Sequence, residues 1–250
     1  MLIDVHAHLD FKQFDADRDE VIERAGREGV VIINSGLGTT GIGNTLDLIQ
    51  KHKNVYATLG LTPTEFKTDE IESTIRLIRG SRGRIVGLGE VGLDYYWIKD
   101  AEKRREEAST FSRFIELSRE LKLPLVIHSR DAEEDTLRIL KEEGITALLH
   151  CFGGSPEQAV EAASEGHLIS IPANIANSSQ KQKIAKAVAL ESLVLETDSP
   201  YLSPVPKTRN EPVNIKETAK KIAELKGVDV SIVEDATTKN AAEFFRLRLP

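Results

Sequence analysis

Eight short apolar runs punctuate this chain, and amphipathic stretches separate them. The runs occupy residues 2–5, 30–34, 55–59, 85–88, 125–127, 147–149, 168–171 and 193–195. They are near-continuously apolar and often β-branched, as expected of strands buried on both faces. Helical patterns lie between them at 17–28, 45–52, 70–79, 101–121, 133–143, 156–165 and 180–189. In these patterns apolar residues recur three and four apart, as at Phe111, Phe114 and Ile115. Strands alternating with helices imply parallel pairing and right-handed crossovers. Eight such units in 250 residues have the usual size of a (β/α)8 barrel of the TIM type, with its active site at the carboxyl ends of the strands. An open doubly wound sheet is the rival, but no G-x-G-x-x-G follows the first strand, so a dinucleotide site has no support. Residues 215–245 add helices, and no linker-like segment interrupts the chain, so residues 1–250 are expected to form one barrel domain.

Composition removes several classes of function. At 40% hydrophobic and 29% charged residues, extended disorder is excluded. A chain of this length hides roughly three-quarters of its unfolded surface, ample for one large core. No apolar run reaches the ~18 residues of a membrane span. The opening MLIDVHAHLD has no basic n-region or long apolar h-region, so no signal peptide is expected. The single cysteine, Cys151, cannot form an internal disulfide, which fits a reducing cytoplasm. With 33 basic and 40 acidic residues the net charge is −7, which argues against coating nucleic acid by bulk charge. A phosphate-bearing substrate would have to be met locally.

The rare polar residues fall on this map in one pattern. His6 and His8 follow the first run, Glu90 the fourth, His128 the fifth, His150 the sixth and Asp198 the eighth. In a barrel those strand ends converge on one face. Residues two apart on a strand point the same way, so both imidazoles of His-x-His can grip one ion. An H-x-H pair alone arises by chance roughly one time in ten in such a chain and is weak evidence. Four of the six histidines lying directly after apolar runs is a different matter. Nitrogen-rich ligands with two carboxylates suit zinc, manganese or similar ions better than an all-oxygen magnesium cage. Six ligands exceed one catalytic sphere, which must keep a place for water. Two divalent ions (Zn, Mn or Mg) sharing Glu90 use them sensibly. His52 and His167 read as structural, Cys151 as a packed reduced thiol, and Asp4 and Asp10 as caps or supports of the histidines.

The motifs IDVHAHLD (3–10), GEVGLDYY (89–96), IHSRDA (127–132), HCFGG (150–154), ETDSPYL (196–202), RNEPVN (209–214) and TTKNAAEFF (237–245) resemble those of the TatD-type metal-dependent deoxyribonuclease family. The match runs essentially the whole chain, in order. The resemblance implies a barrel of the wider amidohydrolase class and hydrolysis of DNA phosphodiesters, often as a 3′-to-5′ exonuclease. It also implies one metal at His6, His8, Glu90 and Asp198 and another at Glu90, His128 and His150. Arg130, Arg209 and Asn210 resemble positions used around the phosphate or for shaping the mouth. Relatives commonly carry G-x-H-P after the third strand, whereas this chain reads Gly60-Leu61-Thr62-Pro63. The Thr62 hydroxyl can still donate to a phosphate.

Two-metal hydrolysis is the expected chemistry, with Asp198 as ligand and proton acceptor and Glu90 as the shared ligand. Acyl esters such as aminoacyl-tRNA, lactones and small amides are within reach of the same chemistry. A metal-binding protein without catalysis is the reading from another class, and Asp198 as proton acceptor argues against it. The expected partner is single-stranded DNA or a DNA end held at the barrel mouth, with no membrane and no obligate protein partner. Arg130, Lys207 and Arg209 are candidate cations there, with Lys103, Arg104 and Arg105 read mainly as solvated charge. Tyr95, Tyr96 and Trp97 can stack a terminal base or pack in the core, and the sequence leaves both readings open.

Overall fold

The computed structural model describes residues 1–247. Eight parallel strands close into a barrel in chain order. They are β1 (Leu2–Ala7), β2 (Val30–Leu37), β3 (Val55–Gly60), β4 (Gly87–Asp94), β5 (Leu125–Arg130), β6 (Ala147–His150), β7 (Leu168–Ile171) and β8 (Leu193–Leu195). The outer helices are α1 (Arg18–Arg27), α2 (Gly38–Lys51), α3 (Thr68–Gly80), α4 (Ala101–Leu121), α5 (Glu133–Glu143), α6 (Pro156–Ser164), α7 (Ser179–Ala187), α8 (Ile215–Lys226) and α9 (Val230–Phe245). Closure comes from Asp4 of β1 opposite Leu195 of β8. The expected (β/α)8 barrel is the observed one.

Local chemistry explains where the helices begin and end. Asp100 accepts from the N–H groups of Glu102 and Lys103 at the start of α4. Ser155 and Gln158 cap each other at α6, with Pro156 in the first turn. Gly144 and Gly227 adopt the left-handed conformation that closes α5 and α8. Helix α2 begins at Gly38, well before the expected residue 45. Its glycine-rich first turn has little propensity of its own, but Glu70 of α3 accepts from the Thr39 N–H at 2.6 Å, placing a carboxylate at the positive helix end.

Two apolar layers build the core. Leu2, Ile32, Leu59, Ile127 and Leu149 face outward against helix residues such as Ile22, Ile75, Phe111 and Ile184. Ile3, Val5, Val31, Ile33, Val126, Leu148 and Val194 form a smaller cluster, joined by Ala241 and Phe245 of α9. Among its fully buried members no residue comes from α1 to α8, so it is the barrel interior, with α9 as its floor. The strands also run past the sequence expectation at their carboxyl ends. His6, Glu90, His128 and His150 therefore lie within strands rather than after them.

Candidate functional site

Two register shifts aim the ligands inward. On β1, Asp4 pairs with Ile32 but Ala7 pairs with Asn34, so three steps on one strand match two on the other. On β4, Leu88 pairs with Leu125 while Val91 pairs with Ile127. Each mismatch is a bulge, and a bulge re-aims the side chains beyond it. Ile3 and Val5 lie in the inner cluster, and after the extra residue the inward parity passes to His6 and His8. Glu90 is turned in the same way on β4. Its backbone is approached closely by β3, where a Cβ on Gly60 would stand 2.2 Å from the Glu90 carbonyl oxygen; only glycine fits there.

The six residues come together at the mouth. His6 Nε2 lies 3.1 Å from His8 Nε2 and 2.8 Å from Glu90 Oε2. Asp198 Oδ1 is 3.9 Å from His6 Nε2 and 3.6 Å from His8 Nε2. His150 Nε2 is 3.5 Å from Glu90 Oε2, on the side of His6, while His128 Nδ1 is 4.0 Å from Glu90 Oε1. His6, Glu90 and His150 form one group with ligand atoms within 4.8 Å of one another, and His6, His8 and Asp198 form another. His128 stands outside both, across Glu90.

Three orienting groups escaped the sequence reading. Ser35 of β2 accepts His8 Nδ1 on its carbonyl at 3.1 Å and the Glu90 N–H on its hydroxyl at 2.9 Å. Glu196 holds His150 Nδ1 at 2.7 Å, and Asp94 holds His128 Nε2 at 3.1 Å. Carbonyls and carboxylates only accept, so these contacts place a proton on the outer ring nitrogen and, in the neutral ring a metal requires, turn the lone pair inward. Glu196 and Asp94 lie in the motifs ETDSPYL and GEVGLDYY, but nothing local marks them as partners of a histidine.

The cluster without a cation is electrostatically frustrated. Burial pushes Asp198 up to about 8, with Glu196 and Glu90 adding to the shift against the opposing charge of His6. Burial and the neighbouring His6 and His150 push His8 down to about 3. Burial also works to raise Glu90, but His6, His150 and His128 outweigh it and hold the carboxyl well below its ordinary value. Glu90 Oε2 is nonetheless buried without a hydrogen bond. Converging lone pairs around an unsatisfied carboxylate oxygen are what a divalent ion relieves. Ligands of one ion stand roughly 3–3.5 Å apart, and the contacts here run from 2.8 to 4.0 Å. The residues present fit a metal.

The remaining sequence candidates divide. Arg130 is exposed near the mouth, and Thr62 sits half-buried just past β3 with its hydroxyl 3.1 Å from that of Thr64. Arg209 is not a free cation: it forks onto both Asp17 oxygens at 2.7 and 2.6 Å and donates to the Gln13 carbonyl. Asn210 is fully buried, donates to the Thr197 carbonyl at 2.7 Å and accepts from Glu211 and Asn214. Asn210 braces the segment that carries Asp198, while Arg209 ties its own loop to Gln13 and Asp17. Asp4 and Asp10 do not touch an imidazole. Asp4 accepts from Thr197 and the His6 N–H, tying β1 to the end of β8, and Asp10 accepts from Asn34. His52 pairs with Asp19, and His167 accepts from the Ala147 N–H, as structural residues do. Burial pushes the Cys151 thiol up to about 12, leaving it an inert thiol.

A parallel barrel with a histidine–carboxylate cluster at the carboxyl ends of its strands defines a metal-dependent hydrolase class. Residues 3–246 match the family described as TatD related DNase. A metal-dependent hydrolase of Methanocaldococcus jannaschii is 41% identical, the match covering 99% of this chain and 98% of that protein. The human deoxyribonuclease TATDN3 is 35% identical over 98% of this chain and 94% of its own. The crystal structure of the TatD homolog YJJV of Escherichia coli superposes with a TM-score of 0.90 at 24% identity, covering 99% of this chain and 98% of that one, a likeness of fold. The chain belongs to the TatD-related DNase family and is a metal-dependent hydrolase of the TatD type.

Proposed function

We propose that this hydrolase cleaves DNA phosphodiesters, working 3′ to 5′ on single strands or frayed ends with two divalent ions. The observation that carries the reading is Glu90, whose Oε2 faces His6 and His150 while Oε1 faces His128. A carboxylate with ligands at both oxygens suits a bridge between two ions. His6, His8 and Asp198 would complete the set of an ion on the Oε2 side, which His150 also borders, and His128 would hold the ion on the Oε1 side. When bound, the ions acidify water and offset the charge on phosphoryl oxygens.

The chain's own residues supply the rest. Asp198, buried but for part of its side chain, accepts the proton of the attacking water beside His6 and His8. Ser35, Glu196 and Asp94 hold three imidazoles in the orientation that turns their inner nitrogens toward the cluster. Arg130, exposed at the mouth, clamps a non-bridging oxygen of the phosphate, and the Thr62 hydroxyl donates to the strand nearby. A human relative named a deoxyribonuclease supports the substrate class. An acyl ester such as aminoacyl-tRNA presents its carbonyl to the same cluster, so the test includes it. Metal-loaded protein is given 3′-labelled and 5′-labelled single-stranded oligonucleotides beside an aminoacyl-tRNA. Early release of the 3′ label as mononucleotide, with the 5′ label shortening stepwise, is expected. Deacylation without DNA cleavage would replace this reading.

A further inference from the structure

We propose that Trp97, backed by Tyr96 and Arg130, seats an unpaired nucleobase beside the phosphate at the metal centre. The inference rests on the nucleic-acid reading above for what the base is attached to, and on local geometry for where it sits. The chain leaves β4 at Asp94 and enters three consecutive aromatic residues with different environments. Tyr95 turns inward: its hydroxyl donates to Asp135 at 2.8 Å, Arg104 lies 4.0 Å over its ring, and it packs on the core. Tyr95 is thereby occupied.

The next two are open. Tyr96 is 43% exposed and carries the Arg130 guanidinium 3.8 Å above its ring centre. Trp97 stands edge-on to Tyr96 at 4.9 Å and is 65% exposed, the most exposed large apolar side chain among the described residues. Trp is rarely left this open, because its large surface is worth more buried. An open ring braced by a second aromatic and a stacked guanidinium is a platform for another flat group.

One carboxylate ties this platform to the metal centre. Asp94 Oδ1 accepts the Trp97 N–H at 3.0 Å, and Asp94 Oδ2 holds His128 at 3.1 Å. Asp94 and Arg130 are register partners, and the Tyr95 N–H donates to the Arg130 carbonyl at 2.8 Å. Arg130 lies two residues beyond His128 on β5, so both point to the same side of the sheet. A π-face beside a guanidinium fits a ligand that is flat at one end and anionic at the other, as a nucleotide is. Stacking reads no base edge, so the subsite tolerates any sequence.

Trp97 is the chain's one tryptophan, so intrinsic fluorescence reports on this position directly. Metal-loaded Asp198→Asn protein is titrated with tetrathymidylate, with the abasic tetranucleotide of the same backbone, and with inorganic phosphate. Saturable quenching by the base-bearing strand alone is expected. In steady-state assays on otherwise unaltered enzyme, Trp97→Ala raises KM for a base-bearing oligonucleotide about tenfold or more with kcat unchanged. Trp97→Phe restores most of that, and KM for the abasic strand does not move. Equal quenching by the abasic strand, or an unchanged KM in Trp97→Ala, overturns the subsite. Should the protein cleave no DNA, the reaction reading fails, while the fluorescence titration still decides whether a base stacks here.

Discussion

Asp198 concentrates backbone and side-chain constraint in one residue. Its φ of 55° is left-handed, its N–H donates to the His6 carbonyl at 2.9 Å, and its carbonyl accepts from Tyr201 at 2.8 Å. Such a conformation costs free energy that the surrounding structure must supply, and it recurs where function requires a side chain to be aimed. Asparagine tolerates the same φ, so Asp198→Asn removes the proton acceptor while keeping the fold. Turnover should fall by ~10²–10⁴-fold with metal content retained, measured by single-turnover kinetics beside elemental analysis. A loss under about tenfold would assign the proton to another residue. Glu196 acts one step further out. It accepts from His150 at 2.7 Å and from Ser170 at 2.6 Å, both on Oε2. Glu196→Gln replaces a charged acceptor by a neutral one, and metal affinity should drop ~10–100-fold in a chelator competition. Unchanged affinity would show that packing alone orients the ring.

At the scale of elements, α4 and β4 meet through a buried carboxyl. Glu107 of α4 accepts the Asp94 N–H at 2.6 Å, and its other oxygen has no partner. Burial, with the nearby Asp94 charge, pushes it from 4.5 to about 7 against the lowering effect of that hydrogen bond. In the unfolded chain the group ionises near its ordinary value, so between those two values the folded state binds more protons. Stability therefore falls as pH rises through that window and levels off above it. Glu107→Gln keeps the acceptor and cannot ionise. The variant should match the parent near pH 4 and exceed it at pH 8 by on the order of 2 kcal/mol. Urea midpoints at the two pH values measure this, and an equal offset at both would mean that packing, not ionisation, sets the difference.

The whole molecule repels what it is proposed to bind. Its net charge is −7, and several arginines are already engaged: Arg209 with Asp17, Arg24 with Glu211, Arg79 with Glu120 and Arg113 with Glu72. On the proposed reading, attraction comes from bound metal and from cations such as Arg130. About two neutralised phosphates on a single strand give a log–log salt slope near −1.5. Binding of a short labelled oligonucleotide to the metal-loaded Asp198→Asn protein, followed by anisotropy across a salt series, tests this. A slope steeper than about −5, or a preference for internal duplex sites, would require many more phosphate contacts than this reading allows.

The alternation of apolar runs with amphipathic stretches was enough to read the barrel, and the histidines after those runs were enough to expect a histidine–carboxylate cluster at its mouth. Both are local patterns, carried by one strand or helix at a time. The aim of the ligands was not legible, because a bulge is a mismatch between two strands and neither strand records it alone. His6 and Glu90 face inward only because β1 slips against β2 and β4 against β5. The partners that orient the imidazoles were hidden for the same reason: Glu196 lies 46 residues from His150, and Ser35 27 from His8. Arg209 has the sequence character of a residue near the phosphate or shaping the mouth, and its partner Asp17 lies 192 residues away. Sequence decided which residue types reach the mouth, since strand order and period place them there. Tertiary structure decided which of them remain free to act, since a polar group's availability depends on neighbours brought together only when the barrel closes.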